Sequence, residues 1–203
     1  MAKRTEGFDE TILLYAKQEF LDKGYENASL RVIAQNANLS TSTIYTRFKD
    51  KEGLFRAVVS PCADSLLSYM QKNLQSFQTL SDGDMVKERV SYEDEGFSGF
   101  MDIFYENFDE FKLLVKCSTN DLYREFLEKA VSLDVECTKN FLKAAKSKAY
   151  LDGRLTDGFI HVVSSAFYSG IFEIAVHDMK RDEAEKYVSE LRNFYSNGWK
   201  EYL

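Results

Sequence analysis

Proline is nearly absent from this chain, and that scarcity restricts its fold more than any other feature. Pro61 is the single proline in 203 residues, whereas average usage would give about ten. Proline lacks a backbone N–H and clashes with the preceding helical turn, so a chain that avoids it can form long helices. Apolar residues recur here at spacings of three and four, with no convincing strand alternation. The sequence therefore predicts an all-α protein.

Three short helices are predicted near the amino terminus. The first covers about 8–23 and is expected to end at Gly24, because glycine is favoured just beyond the last helical turn. Ser29 is a suitable N-cap for a second helix over 30–37, and a third helix follows over 41–48.

A longer helix is predicted to begin near Lys51 and to continue towards Phe77, with Pro61 either kinking or splitting it. Residues 78–94 are polar and contain a Ser-Asp-Gly-Asp turn signal, so they are predicted to form a loop. Further helices are predicted over about 94–107, 109–118, 121–148, 156–177 and 182–202.

Charge is distributed unevenly along the chain. The formal net charge is −7, but residues 1–60 carry +1 and residues 61–203 carry −8. Net acidity disfavours nucleic acid as a partner. Residues 29–51 contain four basic side chains and one acidic side chain, a local charge of +3. The acidic total therefore does not exclude DNA, although it predicts modest non-specific affinity.

The cysteines and the amino terminus favour a soluble cytoplasmic protein. Cys62, Cys117 and Cys137 form no CxxC pair, so reduced thiols are expected rather than a zinc site or a disulfide framework. The first ten residues, MAKRTEGFDE, lack the apolar stretch of a signal peptide. The longest uncharged apolar-rich run, 158–172, is shorter than the roughly 20 residues of a membrane span. No membrane partner is expected.

No pattern of catalytic residues is present in the sequence. The chain has two histidines, His161 and His177, and it contains no HExxH, Glu-x-x-His or GxSxG motif. His161 lies in an apolar helical segment and is predicted to be a core or pocket residue. We therefore expect a protein without enzymatic activity, catalytic residues, metal site or cofactor.

Residues 29–51, SLRVIAQNANLSTSTIYTRFKDK, have the order of a helix-turn-helix. Asn38 falls at the turn, where a left-handed conformation is needed and asparagine is tolerated after glycine. Leu39, Ile44 and Phe48 are predicted to bury the second helix, leaving hydroxyl and basic side chains outside. Such helix pairs also occur in purely structural proteins, so the pair alone leaves a structural role open beside DNA binding.

The wider segment 12–55, ILLYAKQEFLDKGYENASLRVIAQNANLSTSTIYTRFKDKEGLF, is more specific. Its distinctive elements are Phe20, Gly24-Tyr25, Ile33-Ala34 with Ala37, Leu39-Ser40, Ile44-Tyr45, Phe48-Lys49, Lys51-Glu52 and Leu54-Phe55. In these elements, over about a quarter of its length, the chain resembles the TetR family of transcriptional regulators. It departs from the family at Asn38, where glycine is usual, and at Val32, where an acidic residue is common. Neither position lies on the DNA-facing side.

The resemblance implies a helix-turn-helix domain over 1–52 and a helical ligand-binding and dimerisation domain over 53–203. It implies a homodimer that binds a palindromic double-stranded DNA operator, represses transcription and is released by a small hydrophobic or aromatic effector of unknown identity. The alternative is a helical ligand- or protein-binding module that does not recognise a DNA sequence. A salt-dependent gel shift of DNA would distinguish the two, because a module that does not bind DNA would show none.

The resemblance also implies roles for individual residues. Tyr45 and Lys51 are expected to contact phosphates, and Arg31, Thr41 and Ser42 to meet bases. The full set of candidate DNA-binding residues is Arg31, Thr41, Ser42, Thr43, Tyr45, Thr46, Arg47, Lys49 and Lys51.

The second half of the chain is rich in aromatic residues, and a stripe at helical spacing over 97–111 is predicted to be mainly core. Part of it is expected to line the effector pocket that the resemblance implies. An aromatic pocket with a carboxylate favours a planar or cationic apolar ligand. The candidate pocket residues are Phe100, Phe104, Tyr105, Phe108, Tyr123, His161, Phe167, Tyr168 and Glu173.

The last two predicted helices each carry an apolar face, and by the resemblance two such helices from each chain form the dimer contact. Gly170 and Gly198 are costly inside helices by about 1 kcal/mol each unless close packing or a helix end requires them. The candidate interface residues are Phe167, Gly170, Ile171, Ile174, Leu191, Tyr195, Gly198 and Trp199.

Overall fold

The computed structural model describes residues 2–116 and 121–203, and all regular secondary structure in these ranges is α-helix, which confirms the predicted fold class. In chain order the helices are α1 (Ala2–Asn27), α2 (Leu30–Asn36), α3 (Thr41–Phe48), α4 (Lys51–Gln78), α5 (Asp82–Glu106), α6 (Phe108–Lys116), α7 (Asp121–Ala144), α8 (Lys148–Leu151), α9 (Asp157–Val176) and α10 (Arg181–Lys200). Cys117 and the end of the helix predicted over 109–118 lie outside the described residues.

The first three helices share an apolar centre. Ile12 and Phe20 of α1 belong to one buried cluster with Ile33 of α2 and Ile44 of α3. Gly24 has a φ of 72° and interrupts α1 one turn before its end, which confirms the predicted break. Glycine adopts this left-handed conformation without the strain that a side chain would bring.

A hydrogen bond joins α1 to the start of α2, and a left-handed turn connects α2 to α3. The backbone N–H of Ser29 donates to the buried Glu19 carboxylate at 3.0 Å, and the Ser29 hydroxyl accepts from the N–H of Val32 at 3.5 Å. Asn38 in the following turn has a φ of 54°, the left-handed conformation predicted for it. This turn leads into α3, which packs against α2.

α4 is a single helix of 28 residues, and Pro61 lies inside it without splitting it. The split alternative is therefore wrong. α4 begins directly after α3 and contacts α1, α5, α6 and α7, so it connects the helix-turn-helix with the remaining helices. Its buried face consists of Leu54, Phe55, Val58, Val59, Cys62, Ala63, Leu66, Leu74 and Phe77.

Residues 82–94 are helical, so the loop predicted over 78–94 is wrong. Only residues 79–81 separate α4 from α5. The Ser81 hydroxyl accepts from the N–H of Asp84 at 3.2 Å, and Asp82 and Asp84 in the first turn complement the helix dipole. The Ser-Asp-Gly-Asp signal therefore starts a helix. The polar residues that follow lie on its exposed side, while Met85 is buried.

The end of the helix predicted over 121–148 is also corrected. α7 ends at Ala144, Lys146 has a φ of 53°, and Ser147 caps the one-turn helix α8 by accepting from the N–H of Tyr150 at 3.3 Å. A left-handed lysine leaves no signal in residue composition, which explains why the pattern predicts one longer helix.

Aromatic rings fill the core of the second half of the chain. Phe104 stacks on Phe111 with ring centroids 4.7 Å apart, and Phe172 of α9 lies 6.0 Å from Phe104 and 5.3 Å from Phe126. The aromatic stripe predicted over 97–111 is therefore core for most of its length.

α9 is long and apolar enough to cross a bilayer, and it is the one helix among the described residues that passes this test of length and composition. The uncharged run 158–172 is shorter, but the helix with its terminal charged residues has 20 residues. Ile160, Ile171 and Phe172 are buried, and α6, α7 and α10 pack against the helix. These contacts favour a core helix, which has the same composition as a spanning one.

Cys62 and Cys137 are free cysteines, as predicted. Burial raises the pKa of each thiol to about 12, so both are protonated near neutral pH and are poor nucleophiles.

The predicted domain boundary, between residues 52 and 53, falls in the first turn of α4. One apolar cluster extends from Ile12 of α1 to Val188 of α10 and so crosses that boundary. The division into 1–52 and 53–203 stays a prediction, and the packing across it is continuous.

Candidate nucleic-acid interface and internal cavity

α3 presents one buried side chain inward and several hydroxyl groups outward. Ile44 is fully buried, whereas its neighbour Tyr45 is 53% exposed. Ser42 and Thr46 are exposed, and Thr41 and Thr43 are half-buried beside them. The helix is therefore fixed by an apolar anchor while short polar side chains remain accessible, as the sequence predicts.

The amino-terminal end of α3 carries a cluster of hydroxyl groups. The N-cap Ser40 accepts from the N–H of Thr43 at 3.3 Å, and its Oγ lies 2.7 Å from Ser42 Oγ and 2.9 Å from Thr43 Oγ1. Backbone N–H groups at a helix start attract phosphate oxygens. The Thr46 hydroxyl instead donates to the Ser42 carbonyl at 2.8 Å, so its proton is already used within the helix.

The four basic residues of this region fall into two groups. Arg31 on α2 and Lys49 at the end of α3 are exposed. Arg47 forms an ion pair with Asp9 of α1. The Lys51 ammonium donates to the Glu26 carbonyl at 2.8 Å and lies 5.1 Å from the Tyr25 ring centroid. All nine candidate DNA-binding residues lie on α2, α3, their ends and the first turn of α4, and their contact with DNA stays a prediction.

A cavity of about 270 Å³ lies among α4, α5, α7, α9 and α10, close to the lower limit of typical ligand pockets. Its aromatic wall consists of Tyr69, Phe77, Tyr92, Phe97, Phe100, Phe141, Phe167, Tyr168, Tyr195 and Trp199. Its charged groups are Arg89 and Glu93 of α5, Asp134 of α7 and Arg192 of α10. An aromatic wall with few charged groups can orient a small apolar ligand.

Asp134 is the charged group held most deeply in this cavity. Its Oδ2 accepts from the Ser164 hydroxyl at 2.6 Å, and the Tyr168 hydroxyl also hydrogen-bonds to it. Burial raises the pKa of this carboxyl to about 6, and the nearby Glu93 charge acts in the same direction. Burial of the Tyr168 hydroxyl, and after it the nearby Asp134 charge, hold the pKa of Tyr168 well above its ordinary value.

The two cavity arginines are each paired with a carboxylate. Arg89 lies 3.1 Å from Glu93 on the same helix and stacks over the Phe141 ring. Arg192 lies 2.6 Å from Asp94 and stacks over the Phe97 ring. Burial raises the pKa of Glu93, and both arginines oppose that effect.

Three of the nine candidate pocket residues line the cavity: Phe100, Phe167 and Tyr168. The other six do not line it. Phe104 and Phe108 belong to the ring stack of the core, with centroids 5.9 Å apart. They are fixed by neighbouring rings, so the aromatic stripe only touches the cavity at its amino-terminal end.

The remaining candidates have other partners or surroundings. The Tyr105 hydroxyl donates to the Met179 carbonyl at 3.0 Å, and the Tyr123 ring packs edge-on against Phe172. His161 is exposed, so its predicted place in the core or pocket is wrong. Glu173 is exposed and lies 3.1 Å from His177. An apolar helix also has a solvent side, and His161 and Glu173 lie on that side of α9.

The candidate dimer residues mostly join α9 to α10 within one chain. Gly170 faces Leu191, since a Cβ at Gly170 would lie 3.2 Å from the Leu191 side chain, and the Phe167 and Tyr195 rings lie 5.1 Å apart. Close packing therefore explains Gly170. Ile171, like Ile174, is fully buried in the core. The prediction is wrong for these two isoleucines, because the most apolar side of α9 packs inside the protomer.

A different side of α9 is left uncovered. Its exposed residues recur at spacings of three and four: Phe159, Val162, Ala166, Ser169, Glu173 and Val176. On α10, Phe194 is 75% exposed, and nothing lies within 4 Å of a Cβ built on exposed Gly198. Trp199 is half-buried against the apolar cluster of Leu142, Ala149, Leu155 and Ile160 and lines the cavity. We call the exposed residues of both helices the α9–α10 face.

Sequence reasoning missed Asp134, although the sequence contains a signal for it. Ala130 and Val131 precede it by four and three residues, and Cys137 and Thr138 follow it by three and four. An aspartate at the centre of an apolar helical stripe must be buried with hydrogen-bond donors or face an internal cavity. Arg89 and Arg192 lie in polar stretches and give no such signal.

The structure offers no cluster for a metal ion: within 2–116 and 121–203, no group of three or more His, Cys, Asp or Glu side chains is arranged to hold one.

Comparisons with known proteins agree with the amino-terminal geometry. Residues 12–58 match the family model described as bacterial regulatory proteins, tetR family. An uncharacterised helix-turn-helix-type transcriptional regulator of Bacillus subtilis, YvkB, is 35% identical over 80 residues, a segment that spans 39% of this chain and only 38% of YvkB.

Two solved structures share the fold over most of the chain. A putative TetR-family transcriptional regulator from Mesorhizobium loti has a TM-score of 0.59 and 17% identity, covering 95% of this chain and 97% of its own. SmeT, the repressor of the Stenotrophomonas maltophilia multidrug efflux pump SmeDEF, has a TM-score of 0.55 and 14% identity, covering 91% and 88%. At these identities the likeness concerns the fold.

Proposed function

Because the chain belongs to the tetR family of bacterial regulatory proteins, we propose that it is a ligand-responsive regulator of transcription in the cytoplasm. It binds a palindromic operator as a homodimer, represses transcription and is released by a small effector. The observation that carries the proposal is α3, a capped helix anchored by buried Ile44 with exposed hydroxyls and Tyr45. These residues lie inside the matched segment 12–58.

DNA binding follows from the chemistry of this surface. Ser42 and Thr41 at the start of α3 can reach base edges, and Tyr45 and exposed Lys49 can reach phosphates. Arg31 on α2 extends the basic region. The chain as a whole is acidic, so non-specific attraction is weak and two such surfaces are needed at once.

The α9–α10 face supplies a reason for a homodimer. Phe159, Val162 and Val176 on α9 and Phe194 on α10 leave large apolar side chains exposed on this face, and exposed apolar patches mark interaction surfaces. A second copy of the chain covers it with an identical stripe around a two-fold axis. Two α3 helices separated by about 34–36 Å, one turn of DNA, then match the half-sites of a palindrome.

Release by an effector follows from the path of α4. The carboxyl-terminal half of α4 contributes Tyr69 and Phe77 to the cavity, and only two residues separate the start of α4 from the end of α3. α6 forms a second connection to the amino-terminal helices, since Glu110 of α6 pairs with Lys17 of α1 at 2.8 Å. A ligand that binds more tightly to one spacing of α4 and α5 therefore shifts the position of α3. The difference in ligand affinity between the two conformations drives release from the operator.

The test is selection of DNA from the genome that encodes the chain. Purified protein is mixed with genomic fragments, and the retained fragments are sequenced. We expect enrichment of an inverted repeat whose half-sites are about one helical turn apart. Lys49→Ala should weaken the enrichment, because it removes a phosphate contact, whereas Lys72→Ala, which removes an exposed lysine from α4, should not.

Three outcomes contradict the proposal. Retained fragments without a shared sequence leave only the alternative of a helical module that does not recognise DNA sequence. Equal enrichment by Lys49→Ala and Lys72→Ala places DNA binding on another surface. A monomer by light scattering at micromolar concentration contradicts the dimer.

A further inference from the structure

The cavity contains one carboxylate that no cation balances. Asp134 receives hydrogen bonds from the hydroxyls of Ser164, at 2.6 Å, and Tyr168. Both donors are neutral. Within 2–116 and 121–203, no lysine, arginine or histidine forms an ion pair with Asp134. Two hydroxyl donors hold an ionised carboxylate in place, but they do not replace the hydration that burial removes.

The nearby arginines are already engaged. Arg89 is paired with Glu93 at 3.1 Å, and Arg192 with Asp94 at 2.6 Å. Each guanidinium also lies 5.1 Å from the centroid of a phenylalanine ring, which covers its other face. The two arginines and the three carboxylates, Asp134 included, leave a local charge of −1. That remaining charge is at Asp134, the group without a cationic partner.

The wall around Asp134 is also suited to a cation. The rings of Phe100, Phe167, Tyr168, Tyr195 and Trp199 line the same cavity. The face of an aromatic ring carries partial negative charge and attracts ammonium groups, most strongly where water is excluded. A neutral ligand would leave the Asp134 charge unsolvated, and an anionic ligand would be repelled by it.

We propose that the cavity binds a small organic cation, a protonated amine or quaternary ammonium carried on an apolar or aromatic body. The cationic head lies against the Asp134 carboxylate, and the body lies among Phe100, Phe167 and Trp199. The identification of this cation as the effector rests on the proposed function. Binding in the cavity does not depend on it.

Three probes of similar size separate charge from shape. Benzyltrimethylammonium is a permanent cation, neopentylbenzene is its neutral isostere, and 3-phenylpropanoate is an aromatic anion. Trp199 is the single tryptophan of the chain and lies in the cavity wall, so its fluorescence reports occupancy without DNA. We expect the cation to bind at least about tenfold more tightly than the isostere and the anion to bind most weakly.

Asp134→Asn keeps the acceptor for Ser164 and removes the charge. We expect it to weaken benzyltrimethylammonium by about tenfold or more and to leave neopentylbenzene unchanged. Glu128→Gln is the matched control, because it removes a carboxylate from the exposed side of the same helix, and it should leave all three affinities unchanged. Helical circular dichroism of each variant verifies folding.

The inference is overturned if the cation and its isostere bind equally, if 3-phenylpropanoate binds most tightly, or if folded Asp134→Asn retains its cation affinity. The inference is also overturned if none of the three probes binds. Operator binding measured separately distinguishes the two proposals. A protein that binds DNA but no cation contradicts this inference alone, whereas one that binds the cation but no DNA contradicts the proposed function alone.

Discussion

Tyr45 and Ile44 are adjacent on α3 and have opposite surroundings. Tyr45 is 53% exposed, whereas Ile44 is fully buried. Tyr45→Ala should therefore change the free energy of unfolding by less than about 0.5 kcal/mol. It should weaken both operator and random DNA by about tenfold, because a hydrogen bond to a charged phosphate contributes about 1.5–3 kcal/mol. Gel-shift titration at fixed salt measures this effect.

Ile44→Ala is the opposite control. Removal of a fully buried isoleucine should cost about 2–5 kcal/mol of stability, so DNA affinity is lost through unfolding. Unchanged DNA affinity in a folded Tyr45→Ala protein would show that α3 does not face the phosphate backbone as proposed.

Asp134 makes stability depend on pH in an unusual direction. Its folded-state pKa of about 6 lies above the ordinary 3.8, so the folded protein binds this proton more tightly than the unfolded chain does. The contribution of Asp134 is therefore fully favourable below about pH 4 and is lost as pH rises through 6. Asp134→Asn should be more stable than the parent by about 1–3 kcal/mol at pH 8.

Urea denaturation at pH 4 and pH 8 measures that difference for the ligand-free protein. The gain from Asp134→Asn should shrink towards zero at the lower pH, since the parent side chain is then also neutral. The pairwise comparison removes the other titrating groups, which both proteins share. A gain of equal size at both pH values would mean that burial of charge at residue 134 is not its source.

At the scale of single residues, the sequence predicts which side chains are exposed on a helix better than it predicts the partners that they contact. The positions of Thr41, Ser42 and Tyr45 on an exposed helix surface follow from cap and spacing. The attachment of Arg47 to Asp9 and of Lys51 to Glu26 does not follow, because these contacts join segments that are distant in sequence. The sequence predicts only part of the cavity lining for the same reason.

α4 and α5 meet where a glycine accommodates a tyrosine. The Tyr69 hydroxyl donates to the Gly96 carbonyl at 3.1 Å, and a Cβ on Gly99 would overlap the Tyr69 side chain. Gly99→Ala should therefore lower the free energy of unfolding by about 1–2 kcal/mol, because overpacking outweighs the gain in helix propensity. Thermal unfolding of the purified variant measures it.

Gly83→Ala on the same helix is the matched control. A Cβ at Gly83 would come no closer than 4.0 Å to Ser81 Oγ. Only the helix propensity changes there, so the variant should gain up to about 1 kcal/mol. Equal effects of the two substitutions would contradict the close α4–α5 contact at Gly99.

At the scale of helices, the prediction succeeds where a break has a chemical signature and fails where it has none. Gly24 and Asn38 adopt the left-handed conformations expected of them. The loop predicted around Ser81 is wrong, since the residues that form turns also cap helices. Lys146 ends α7 in a conformation that lysine rarely adopts, and the surrounding packing decides that position.

For the whole molecule, Phe194 tests whether the α9–α10 face joins two copies. Phe194 is 75% exposed in the protomer, so Phe194→Glu should leave folding intact. Two facing glutamates would weaken the dimer by at least about tenfold. Light scattering should show a monomer, and operator affinity should fall with it. Val90→Glu, a similar change on the exposed side of α5, should leave the dimer intact, and a dimeric Phe194→Glu would contradict the assignment.

The uncovered stripe on α9 and α10 ties operator occupancy to the number of protein molecules in a cell. With that stripe closing the dimer, halving a scarce protein lowers the amount of dimer about fourfold, since pairing depends on the square of the protomer concentration. Daughter cells that inherit unequal numbers of molecules would then differ more in transcription than in protein content. The same side chains that bury Phe194 against a partner would thus set how uniformly a population of cells responds.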